Sequence, residues 1–154
     1  MNAAHLHLIL NHIPIIGSFI AFFILLYGVF KKNEEVKKVA LVLIIIMGVA
    51  SFFVSKTGHK AEHLVEKIPG VSESSIEEHE EFGEKALIAS EISAALALLT
   101  LLARMKNKSL ASALNLLTLL SLLVSAAILS WTAKLGGEIR HPEIKPGFES
   151  QNHS

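Results

Sequence analysis

The chain has 154 residues, is 51% hydrophobic and 6% aromatic, has a mean hydropathy of +0.51, and carries no formal net charge at pH 7. One domain is the default at this length, and the balanced charge excludes a basic nucleic-acid binder. The absence of cysteine excludes disulfides, thiolate metal sites, iron–sulfur clusters and covalently attached c-type haem.

The first element opens on "HLHLILNHIPIIG", His5 to Gly17, and continues as an apolar run to Phe30. Its length exceeds a signal-peptide core of about 7–15 residues. It has no basic lead-in and ends in "KKNEEVKK", so a retained span is expected. Pro14 allows two geometries: a helix starting close to it with His7 on an extended lead-in, or a helix running through with a kink. Three further apolar runs follow, giving expected spans at 8–30, 36–56, 84–104 and 109–134. "ALVLIIIMGVASFFV" is apolar all round, whereas a soluble bundle would alternate polar and apolar residues at helical period. The expected fold is therefore all-α: an integral membrane four-helix bundle over 1–137, with an extended tail over 138–154.

Lys31, Lys32, Lys37 and Lys38 follow the first span, and Arg104, Lys106 and Lys108 fill the link between the third and fourth. Basic short loops mark the cytoplasmic side. Both termini are thus expected outside, in an inner (cytoplasmic) membrane, and Tyr27 and Trp131 suit interfacial positions. On this map all eight histidines fall at the outer side: His5, His7, His12, His59, His63, His79, His141 and His153.

The link between spans two and three reads as a projecting helical hairpin, stopped at Pro69-Gly70 and restarted by a serine–glutamate capping pattern. His59 and His63 share one helix face. His79 heads a stripe of small residues, Gly83, Ala86, Ser90, Ala94 and Ala97, which suits close helix packing or clearance for a flat cofactor. Most of the nearby glutamates read as a solvated surface. Glu91 lies inside the third span, where an ionisable residue marks function by default, and Glu84, seven residues earlier, could pass protons to it. Gly136-Gly137 is expected to stop the last helix.

Neutral imidazoles on opposed helices can hold haem b or a bare zinc, copper or iron ion. The expected ligands are His12, His59, His63 and His79, with His7 and His141 in reserve. His12 leads because it lies within the apolar run. Bis-histidine haem would make the chain an electron-transfer protein rather than a stand-alone enzyme. It would exchange electrons at the outer face with a periplasmic carrier or a quinol. The alternatives are a non-haem metal protein and a non-catalytic subunit, as a homo-oligomer or within a larger membrane complex.

"HLILNHIPI" (with His7, His12 and Pro14), Thr57-Gly58, "HEEFG" from His79 and Gly136-Gly137 together resemble the motifs of a family of small four-span bacterial membrane proteins of unknown function. Leu8 stands where that family has proline. The resemblance covers most of the chain and implies a redox membrane protein, in some cases associated with Rieske-type partners.

Overall fold

The computed structural model describes residues 2–68, 71–141 and 144. Five helices occur among them: α1 (Ala3–Leu10), α2 (His12–Phe30), α3 (Glu34–Val65), α4 (Glu73–Arg104) and α5 (Lys108–Arg140). α1 and α2 form one apolar rod broken at Asn11. Pro14 lies in the first turn of α2; it lacks an N–H, and its ring crowds the carbonyl four residues back, at Leu10. Of the two geometries expected here, the helix runs through with a break, and His7 is helical. Asn2 caps α1 by accepting from the His5 amide at 2.9 Å.

The turn between α2 and α3 is tight, with Lys32 in the left-handed region at φ 50°. Asn33 then caps α3, accepting from the amides of Glu35 and Val36. Glu34 and Glu35 suit the positive end of that helix. Arg104, at the end of α4, pairs with the Glu34 carboxylate at 2.9 Å and donates to its backbone carbonyl. The Lys37 hydrogen bond, then the charges of Lys37, Arg104 and Lys108, hold the Glu34 carboxyl below its usual range. This end of the bundle is fastened by ion pairs and carries no histidine.

α2 packs on α3 and α5, α3 on α4, and α4 on α5, closing a four-helix bundle; α1 rides on α3. Short links make the neighbours antiparallel. Four helices are long and apolar enough to cross a membrane: Ala3–Phe30, Glu34–Val65, Glu73–Arg104 and Lys108–Ile139. α3 and α4 have 32 residues each, about 48 Å at 1.5 Å per residue. A bilayer core is about 30 Å thick, so both exceed it by several turns. The surplus lies at the histidine end. α5 also runs longer than expected: it passes through Gly136-Gly137 and ends at Arg140, so the glycine pair is not a stop. Most of the expected tail, with His153, lies outside the described residues.

The core gathers Ala21, Leu25, Ala40, Leu41, Ile44, Ala97, Leu119 and Leu122. The outer wall is equally apolar: Phe23, Ile46, Phe53, Ile88, Leu102, Leu116 and Val124 are all more than half exposed. Small polar residues occupy the α4–α5 seam instead. Ser90 meets Ser125 at 3.1 Å, Ser93 meets Ser121 at 2.8 Å, and Thr100 meets Thr118 at 3.1 Å. Small and hydroxylated residues let membrane helices approach closely and bond across the gap. The lower part of the stripe below His79 thus serves packing. The hydroxyl that accepts across the seam donates to a carbonyl of its own helix, and each threonine has such a carbonyl within reach, so Thr118→Val removes the cross-helix bond without orphaning its partner. The variant should lose about 0.6 kcal/mol of stability, measured by unfolding in mixed micelles. An unchanged midpoint would show that the hydroxyl seam is only a by-product of small size.

Candidate cofactor site at the histidine end

His7 and His79 come from α1 and α4, two helices that each pack on α3. Their rings lie 6.3 Å apart between centroids, with planes 82° to one another. Both are held in the same way. His7 Nδ1 lies 3.1 Å from the Val54 carbonyl, with the Thr57 hydroxyl at 3.3 Å. His79 Nδ1 lies 3.0 Å from the Thr132 carbonyl. An Nδ1 facing a carbonyl carries the proton, so the lone pair of a neutral ring sits on Nε2. Neither Nε2 has a hydrogen bond among the described residues.

A glycine makes each approach possible. Residues four apart on a helix lie one above the other, so Gly58 sits over the Val54 carbonyl and Gly136 over that of Thr132. A Cβ on Gly58 would lie 3.2 Å from His7 Cε1, and one on Gly136 only 2.9 Å from His79 Cε1. The two imidazoles therefore dock by one repeated device: a helix carbonyl to bond the ring, and a glycine one turn later to clear it.

Both rings line a cavity of about 1200 Å³ at this end of the bundle. Pockets for small ligands hold about 300–1,000 Å³, so there is room for a macrocycle. His5, His12, His59 and His141 line it as well. Of its lining, Pro14, Ile15, Leu87 and Leu129 stand furthest along their helices towards the bundle's middle, giving it an apolar floor. Gly83 and Ala86 open its wall, so the upper part of the small-residue stripe gives clearance and the lower part packs. Ser51, also at the floor, is buried with an unpartnered hydroxyl, a position where a bound molecule would find a polar contact.

The other expected ligands are placed differently. His12 is exposed, and its Nδ1 bonds the Leu8 carbonyl of its own rod at 3.0 Å. His59 pairs with Glu80 at 3.0 Å. His63 has a side chain 79% exposed, lies 3.8 Å from Glu66 and is not among the cavity residues. Glu84 borders the cavity, whereas Glu91 is exposed on α4 outside it, with an oxygen 3.9 Å from the place of a Gly48 Cβ. Sequence reasoning put His12 ahead of His7. Both border the cavity, but His7 is held by a carbonyl of a neighbouring helix whereas His12 bonds only its own rod. The signals that favoured His7 were the glycines, not the histidine spacing.

Comparison with protein-family models, with curated proteins and with solved structures returned no match.

His79 lies on the projecting turns of α4, ahead of the apolar stretch that starts at Ala86. Burial pushes its imidazole below the ordinary range, aided by the nearby His7 and opposed by the Thr132 hydrogen bond and Glu80. The unfolded chain thus takes the proton first. The contribution to stability is full above about pH 6.5 and is lost as pH falls through that value towards the lower folded-state pKa. An NMR titration of the ring protons should place the His79 midpoint below the ordinary histidine value of about 6.5. A midpoint at or above that value would contradict the half-buried placement.

Proposed function

We propose that the protein is a four-span membrane electron carrier of the b-type cytochrome kind, with haem held between His7 and His79. The spacing of the two rings carries this reading. Two imidazoles binding one metal from opposite sides, at about 2 Å per metal–nitrogen bond, place their ring centres roughly 6 Å apart. The separation here is 6.3 Å. A tetrahedral ion would draw the same rings to roughly 5 Å, so the pair favours axial ligation over a bare zinc site.

The residues present fit the group. The cavity has the volume, its floor is apolar, and the chain offers two imidazoles on separate helices without any cysteine. When bound, haem supplies one-electron redox chemistry, its potential set by axial ligands, hydrogen bonding and burial. The chain's own residues do the rest. The Val54 and Thr132 carbonyls fix the ring tautomers and make both imidazoles better donors. Pro14, Ile15, Leu87 and Leu129 keep water from the floor.

The surroundings support a location. The bundle's apolar outer wall suits lipid, and Lys31, Lys32, Lys37, Lys38, Arg104, Lys106 and Lys108 crowd the end opposite the histidines; basic residues in short loops favour the cytoplasmic side, which supports a cytoplasmic location for that end. In the inner membrane the histidine end and both termini then face the periplasm. The electron partner there is a periplasmic carrier or a membrane quinol. This agrees with the redox role that the motif resemblance implies.

Detergent-purified protein, expressed with haem supplied, should show a Soret band that sharpens on dithionite reduction, with resolved α and β bands. His7→Ala and His79→Ala should each lower bound haem at least about tenfold, as loss of metal-site groups does. His12→Ala and His63→Ala should retain it. Haem that survives loss of His79, or no Soret band at all, would overturn the proposal.

A further inference from the structure

The mouth of the cavity holds a second set of ligand atoms that the haem reading leaves unused. His59 Nδ1 lies 3.0 Å from Glu80 Oε1. His59, Glu62 and Glu80 each bring one ligand atom to within 4.8 Å of the other two. His59 and Glu62 are three residues apart on α3, so they share a face, and Glu80 reaches across from α4. Two carboxylates this close repel one another. Among the described residues neither has a lysine or arginine within ion-pair distance. Their shared neighbour is the single imidazole, and the half-exposed side chains of His59 and Glu80 leave the group open to solvent.

We propose that His59, Glu62 and Glu80 bind a divalent transition-metal ion of the zinc type, separate from the His7–His79 pair. Imidazole with carboxylate is the ligand mix of such ions, whereas calcium and magnesium take oxygen ligands. Zinc ligand atoms, each about 2.0–2.1 Å from the ion, lie roughly 3.4 Å from one another, so closing the site asks for a side-chain rotation of about an ångström. The ion neutralises the facing carboxylates and clamps the projecting turns of α3 to α4 at the cavity mouth. Its fourth position is left for water or a solute at the entrance.

The test uses full-length protein in detergent, with any purification tag removed and metal stripped by chelator. Zinc is then titrated by calorimetry, and retained zinc is counted by mass spectrometry after dialysis. Wild type should retain one zinc. Glu80→Gln and His59→Ala should each weaken binding at least tenfold, and His63→Ala should not. Far-UV circular dichroism checks that the variants are folded, and Glu62→Gln provides a second conservative replacement. Zinc affinity unchanged in folded Glu80→Gln and Glu62→Gln, or no zinc retained by wild type, would overturn the site. Zinc lost in His7→Ala and His79→Ala but kept in His59→Ala would place the ion between the inner pair and also overturn it. The haem spectrum is read on the same samples, so the two proposals fail separately: a colourless protein that still loses zinc with Glu80→Gln would sink only the haem.

Discussion

A bundle whose side wall is leucine, isoleucine, valine and phenylalanine has only its two ends for polar chemistry. An exterior of this kind would be at rest against lipid rather than water, where an unsatisfied backbone group costs several kcal/mol. Every long segment is helical among the described residues. Most of the interior polar groups on α4 and α5 are small hydroxyls that bond across the seam or back to their own helices. The ends then divide the labour. One is fastened by Asn33, Arg104 and Glu34. The other is held open, with long helices running beyond the apolar stretch and His7 and His79 lining the space between them.

What distinguishes the open end from a merely polar cap is the repeated docking of its two half-buried imidazoles. Each ring is bonded at Nδ1 by the carbonyl of a neighbouring helix, and each lies over a glycine four residues further on. The carbonyls already serve their own helices, so the arrangement needs no irregular backbone. It fixes the ring planes nearly perpendicular and leaves both Nε2 atoms for a ligand. A pair of histidines packed only to fill space would not need this device twice.

Much of the fold was legible in the amino-acid sequence because helices of spanning length advertise themselves by long, unbroken apolar runs. The extra length of α3 and α4 was legible too, since both continue in strong helix formers past their apolar stretches; the expected stop at Pro69-Gly70 lies outside the described residues, and α4 starts after Ser72 without the expected side-chain cap. The site was legible only as a location. Clustering put the histidines at one end, but the choice of His7 over His12 turned on the phase of α1 across the Asn11 break, which no spacing rule fixes while Pro14 allows two geometries. The partners of the rings were hidden for a different reason: Val54 and Thr132 contribute backbone carbonyls, and any residue type carries one. The glycines were the visible trace. Gly136 was read as a helix stop, because glycine ends helices more often than it clears a ring; the helix here passes through it.

The central claim is that haem would be held between His7 and His79, whose rings are crossed at 82°. Axial ligands and their orientation set the electronic state of haem iron, so the most direct measurement is the low-temperature electron paramagnetic resonance spectrum of the oxidised protein. Crossed imidazole planes should give a highly anisotropic low-spin signal dominated by a single feature at large g. A rhombic low-spin spectrum with three well-resolved g values would mean that the planes are parallel, and a purely high-spin signal that one histidine is not a ligand; either would contradict the account.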